Sequence, residues 1–191
     1  TGQAPEAWFG PGEPQPPAQP VDLSPLYDPL REHFADLNIE GAFVCGRELV
    51  LLQRGHAGGS PNASVHYALK HVLAWLFDGA DAPLMQHMRR HQLGRVAGVP
   101  LCFTDGAALP DGRWVFTAVA EATDDSAADG ACVGSVVGLM SAQGELLVRH
   151  ALPDNAKAEG IAARWRRGGV DLCLVTDADN PRIASRLLRC R

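Results

Sequence analysis

No apolar run in the sequence is long enough to cross a membrane as a helix. The longest uninterrupted one, Val72 to Phe77, falls far short of the roughly 18–20 residues a span needs. A membrane partner is not expected. Positive charge is also in short supply: seventeen Lys and Arg stand against twenty-two Asp and Glu, for a formal net charge of −5. That balance argues against a chain that grips phosphate backbones, so no nucleic-acid partner is expected. The five cysteines (Cys45, Cys102, Cys132, Cys173, Cys190) are odd in number and contain no C-x-x-C pair. In a chain of 191 residues this argues for reduced thiols rather than a disulfide framework. There is no G-x-S-x-G elbow, no P-loop and no G-x-G-x-x-G fingerprint. The first residues carry neither the basic nor the apolar segment of a secretion signal. With the thiols, this leads to the expectation of a cytoplasmic setting, a periplasmic or secreted one staying open.

What is present is a repeat. Leu37-Asn38-Ile39-Glu40-Gly41 leads through a turn at Gly46-Arg47 into the apolar run Leu49–Leu52. Asp105-Gly106 leads through Pro110–Arg113 into Trp114–Val119, and Glu159-Gly160 through Arg166–Gly169 into Val170–Val175. An acid, a glycine, a strand-like run, a glycine turn and a second run read as a β-hairpin. The acids are 65 and 54 residues apart, slightly beyond the roughly 40–50-residue period of propeller repeats. The expected fold is therefore all-β and propeller-like, with about three blades forming a partial ring.

Residues 1–24 read as a Pro-rich lead-in or loop, and 25–191 as the partial propeller domain. Ser24-Pro25 offers an N-cap and a first-turn proline, and Leu26, Leu30 and Phe34 share one face, which predicts a short helix over Pro25–Ala35. Val65–Phe77 does not separate into strand or helix and is assigned to the outer part of the first unit. Pro83–Gln92 is expected to open the second unit and Val133–Met140 to supply its outer strand, with a turn at Gln143-Gly144 into Glu145–Leu152, and Ser185–Cys190 to end an incomplete third.

Several strings share a resemblance: Leu37–Gly41, Gln53-Arg54-Gly55, Phe103–Gly106, Phe116–Ala118 with Ala120-Glu121, Asp129-Gly130 with Gly134-Ser135, Lys157–Gly160 and Val175–Pro181. As a set they resemble the second half of an uncharacterised family of bacterial β-propeller proteins, similar in turn to the esterase-like phytase and SdiA-regulated propellers. The resemblance implies that the acid-glycine pairs lie on strands beside a central channel and that full members carry further blades upstream. A half-ring leaves apolar faces open, so self-association or missing upstream blades are expected, with the proline-rich segment and the first helix as the available cap.

Radial symmetry would bring Glu40, Asp105 and Glu159 around one axis. Converging carboxylates repel unless a cation or protons lie between them. Oxygen-only ligands suit Ca²⁺ or Mg²⁺, with Asn38, Asp177 and Asp179 as weaker candidates. An acid before glycine can equally hydrogen-bond backbone amides in a turn at the start of a strand, glycine supplying permissive dihedrals. Glu121, Asp124, Asp125 and Asp129 match no Ca²⁺-loop pattern and read as a solvated loop. His87-x-x-x-His91 encloses Arg89-Arg90 and reads as surface. Two functions follow. One is a divalent-metal-dependent phosphoester or ester hydrolase with its site on the axis; the other is a non-catalytic module that binds a small-molecule ligand or a protein partner.

Overall fold

The computed structural model describes residues 20–122 and 130–190. Within them the chain forms three antiparallel sheets, and every strand pairs with its neighbour in sequence. The first sheet holds β1 (Ile39–Cys45), β2 (Glu48–Gln53), β3 (Asn62–Ala68) and β4 (Met85–His91). The second holds β5 (Arg95–Val96), β6 (Val99–Ala108), β7 (Trp114–Glu121), β8 (Cys132–Met140) and β9 (Leu146–Ala151). The third holds β10 (Ala158–Arg166), β11 (Gly169–Thr176) and β12 (Leu187–Cys190). Met85–His91 thus closes the first sheet instead of opening the second, because its register runs along β3 from Asn62↔His91 to Tyr67↔Met85.

The helix α1 (Ser24–Arg31) forms where Leu26, Leu30 and Phe34 share a face. Ser24 is its first residue rather than its cap, and Asp22 Oδ1 accepts the Ser24 N–H at 2.9 Å. A second helix, α2 (Leu69–Asp78), fills the ambiguous stretch. It follows β3 directly and ends at Gly79, whose left-handed φ of 69° lets its N–H reach Ala74 O. Strand and helix abut there with no glycine or proline between them, so the boundary leaves no local mark.

The sheets stack face to face in chain order. Phe43, Val50 and Leu52 of the first meet Phe103, Trp114 and Phe116 of the second, where the Phe103 and Phe116 rings lie edge to face at 5.2 Å. The other face of the second sheet, with Leu109, Val115 and Val137, packs on Ile161 and Leu174 of the third. β7 is consequently buried along its whole length. The outer face of the first sheet, with Leu51, Ala63, Val65 and Tyr67, lies under Leu26, Leu30 and Phe34 and under Val72 of α2. Val175 and Leu187 of the third sheet remain exposed. No disulfide joins any of the five cysteines.

Leu30 is fully buried between α1 and the first sheet. Leu30→Ala is expected to cost about 2–5 kcal/mol and Leu30→Met under about 1.5 kcal/mol, read from urea unfolding midpoints. An equal, negligible loss in both would show that the helix does not cover the sheet.

Candidate functional site

The three acid-glycine pairs do lie on adjacent strands, β1, β6 and β10, but not in the same register. The ladders skip Glu40 in β1 and Glu159 in β10, whereas in β6 the skipped residue is Thr104. Asp105 thus stands one residue past the bulge, and its side chain goes elsewhere. Its Oδ1 accepts the Gly106 N–H and its Oδ2 the Ile161 N–H, both at 2.8 Å, the second joining the second sheet to the third. Thr104, in the bulge, donates to the Ala158 carbonyl at 2.7 Å. Burial pushes the Asp105 carboxyl above its ordinary range, and the two amide bonds partly oppose this.

The glycines are there for space rather than for dihedrals, since none of Gly41, Gly106 and Gly160 has positive φ. A Cβ on Gly41 would lie 3.2 Å from Asp105 Cα, and one on Gly106 would lie 2.6 Å from the Phe43 ring. The inner strands approach that closely only because these side chains are missing.

Glu40 and Glu159 belong to a second arrangement, an ion cluster drawn from all three sheets, with Glu121 and Lys157 enclosed at its centre and Glu40 and Asp179 exposed at its rim. Arg54, just after β2, pairs with Glu121 at the end of β7 and lies 3.6 Å from Glu40 Oε1. Lys157, just before β10, lies 2.8 Å from Glu121 Oε1 and 3.4 Å from Glu159 Oε1, and also pairs with Asp179. The Glu121 and Lys157 side chains are only 4% and 7% exposed. Burial works against the Arg54 charge, but Glu121 and Glu40 outweigh it and hold the guanidinium ionised. Burial likewise pushes the Glu159 carboxyl up to about 7, against the pull of Lys157 and Arg54.

Glu121 was expected in a solvated loop and is buried instead, because it ends the fully enclosed strand β7. Asp124, Asp125 and Asp129 lie outside the described residues. Among the weaker candidates, Asp179 joins the cluster, while Asp177 is exposed and accepts the Asp179 N–H. Asn38 is placed by its backbone, its N–H donating to Gln53 Oε1 and its carbonyl accepting from the Arg54 N–H.

As arranged, these donors do not suit a Ca²⁺ or Mg²⁺ centre. Both Asp105 oxygens face amide protons, and the guanidinium and ammonium occupy the approaches to Glu40 and Glu159, where a hard dication would need several open oxygen ligands. Sequence reasoning missed Arg54 and Lys157, although both sit in motif strings beside inner strands. For Arg54 the signal would have been a lone basic residue just past the apolar run Leu49–Leu52; Lys157, after Pro153-Asp154-Asn155, carries no such mark.

The histidines of β4 divide. His87 is exposed, but His91, expected at the surface, is buried against Phe103 and Trp114. Burial pushes its imidazole down to about 4, so it is neutral. Its Nε2 meets Ser64 Oγ at 2.9 Å, and that oxygen also meets His66 Nε2 at 3.0 Å.

One family matches residues 10–181, a span that includes every member of the ion cluster and nearly all of the three sheets. The chain belongs to DUF6910, a family of unknown function. No curated protein and no solved structure matches it. The DUF6910 span takes in α1 as well, so the covering helix lies within the matched segment.

Two outcomes test the cluster. The folded state holds the Glu159 proton to about pH 7, whereas an ordinary glutamate carboxyl releases it near 4.5. Its contribution to stability is therefore full below about 4.5 and is lost as pH rises through 7. Glu159→Gln should gain in melting temperature relative to the parent between pH 5 and pH 8, as read by paired thermal melts; a pH-independent difference would refute the shift. Second, Arg54→Met leaves buried Glu121 short of a partner and is expected to cost about 3–5 kcal/mol, most of it recovered by adding Glu121→Leu, in chemical denaturation.

Proposed function

We propose that the chain is a propeller-like binding module whose three sheets act as blades, and whose inner end is fixed by ion pairs rather than by a catalytic metal. The observation that carries this reading is the placement of Arg54 and Lys157 among the carboxylates that a metal would otherwise need. The stacking of the sheets in chain order, inner strands side by side, supports the blade reading.

A cleft of about 550 Å³ opens beside the cluster, lined by Lys157, Thr176, Asp177, Asp179 and Arg186 among others. Its lining offers cationic donors and carboxylate acceptors together, which suits a small polar ligand carrying both kinds of group. Lys157 and Asp179 belong to both cleft and cluster, so an occupant would be felt by the charges that tie the sheets together.

A hydrolase reading has one observation in its favour. Glu159, with its carboxyl near 7 and Lys157 beside it, can give up a proton at neutral pH.

The test combines two measurements on the full chain. The binding-module reading expects no thermal shift with millimolar Ca²⁺ or Mg²⁺ and no turnover of p-nitrophenyl phosphate or p-nitrophenyl acetate. A shift of several degrees accompanied by turnover, both lost in Glu159→Gln, would replace it with the hydrolase.

A further inference from the structure

A group of side chains away from the ion cluster has the makings of a metal site. Glu48 of β2, His66 of β3 and His87 of β4 each present a ligand atom, and these atoms all lie within 4.8 Å of one another. The strand register brings them together. His66 and His87 are directly opposed across β3 and β4, and Glu48 sits opposite Ala68, one diagonal step from His66. The two imidazoles are stacked at 4.1 Å, and His66 Nδ1 lies 2.9 Å from Glu48 Oε2.

The hydrogen-bond chain behind His66 decides what that short contact means. Ser64 Oγ lies within hydrogen-bond distance of two imidazole nitrogens, His91 Nε2 and His66 Nε2, and in one of its two arrangements the buried His91 ring presents its Nε2 lone pair to the hydroxyl. His91 Nε2 is then an acceptor, and the single hydroxyl proton of Ser64 goes to it. The Ser64 oxygen is left to accept, so its partner His66 Nε2 carries the proton. In the neutral ring this places the lone pair of Nδ1 against a carboxylate oxygen. Two acceptors at hydrogen-bond distance require something positive between them, either a proton or a metal ion.

We propose that Glu48, His66 and His87 bind a borderline transition-metal dication of the zinc class. Two imidazoles and one carboxylate, with a further position open, are a common donor set for such ions. His66 Nε2–H donating to Ser64, itself held by His91, is the outer support that orients a metal-bound imidazole through its Nδ1. His87 is exposed, so its ring is free to turn from the stack and present a nitrogen to the same point. Glu48 also borders a cleft of about 560 Å³ with Arg47, Leu69, Lys70 and Gln86, which gives a fourth ligand access from solvent. Arg89 is the opposing charge on β4. Its charge acts on both His66 and His91 and disfavours a further cation there, so the site is weaker than a structural zinc centre.

The test is isothermal titration of the full chain with Zn²⁺, and with Co²⁺ followed by visible absorption, at pH 7.5 under reducing conditions. The expected result is one ion per chain, a Co²⁺ spectrum of nitrogen and oxygen ligation without a thiolate charge-transfer band, and no binding of Ca²⁺. Affinity should fall at least tenfold in His87→Ala and in Glu48→Gln. Because His87 is exposed, its variant should fold, and an unchanged circular dichroism spectrum checks this. Imidazole nitrogen NMR should show the His66 Nδ1 resonance move on adding Zn²⁺. A thiolate band, or affinity unchanged in both variants, would assign the metal to cysteines instead. An absence of Zn²⁺ binding with His66 doubly protonated at pH 7.5 would show that a proton fills the gap, and would overturn the site.

Discussion

A carboxylate as deeply enclosed as that of Glu121 cannot stay ionised alone, and the cations that answer it come from two other sheets. Arg54 arrives from the end of the first sheet's second strand and Lys157 from the start of the third sheet's first strand, where Asp179 pairs with it in turn. The Arg54–Glu121 and Lys157–Glu121 pairs therefore each span a boundary between sheets. Apolar packing holds neighbouring sheets together without specifying how far one slides on the next. The ion pairs do specify it, because a displacement of even a few ångströms would leave a buried charge unpaired. Asp105 adds a second fixed point, its carboxylate reaching across to the Ile161 amide.

The same constraint explains the glycines. β1 and β6 lie so close together that there is no room for a Cβ at Gly41 or Gly106, while Asp105 of β6 reaches the other way, to β10. The acid-glycine repeat is thus the written trace of two requirements: a polar group that bridges on one side and a backbone thin enough to be approached on the other. In the second unit the threonine takes the bulge and the acid takes the bridge. The three motifs look alike in sequence and act differently.

Much of the fold was legible because hairpins write themselves locally. Gly46-Arg47 and Arg167-Gly168 between apolar runs give the first and third hairpins directly, and Leu26, Leu30 and Phe34 give the first helix. What was not legible depended on distant partners. The stretch Val65–Phe77 turns from strand to helix with no glycine or proline to mark the change, and only the packing of Val72 against the α1 cluster distinguishes the two. Met85–His91 carries charges and histidines that suit any surface strand, and nothing local says to which sheet it belongs. Glu121 sits among other acids in sequence, yet it alone of those described ends an enclosed strand. The candidate site was half legible: the acids were visible, but the cations that pair with them were separated from them by up to 67 residues.

The sequential pairing of strands bears on how the protein reaches this state. Every ladder joins neighbours along the chain, so each sheet closes only short loops and can form without waiting for the others. The late step is docking, when Arg54, Glu121 and Lys157 must shed water before they can meet. The slow part of assembly then lies in the dehydration of charge rather than in the search for strand partners, and dissolved salt acts on it by screening the attraction that draws the sheets together.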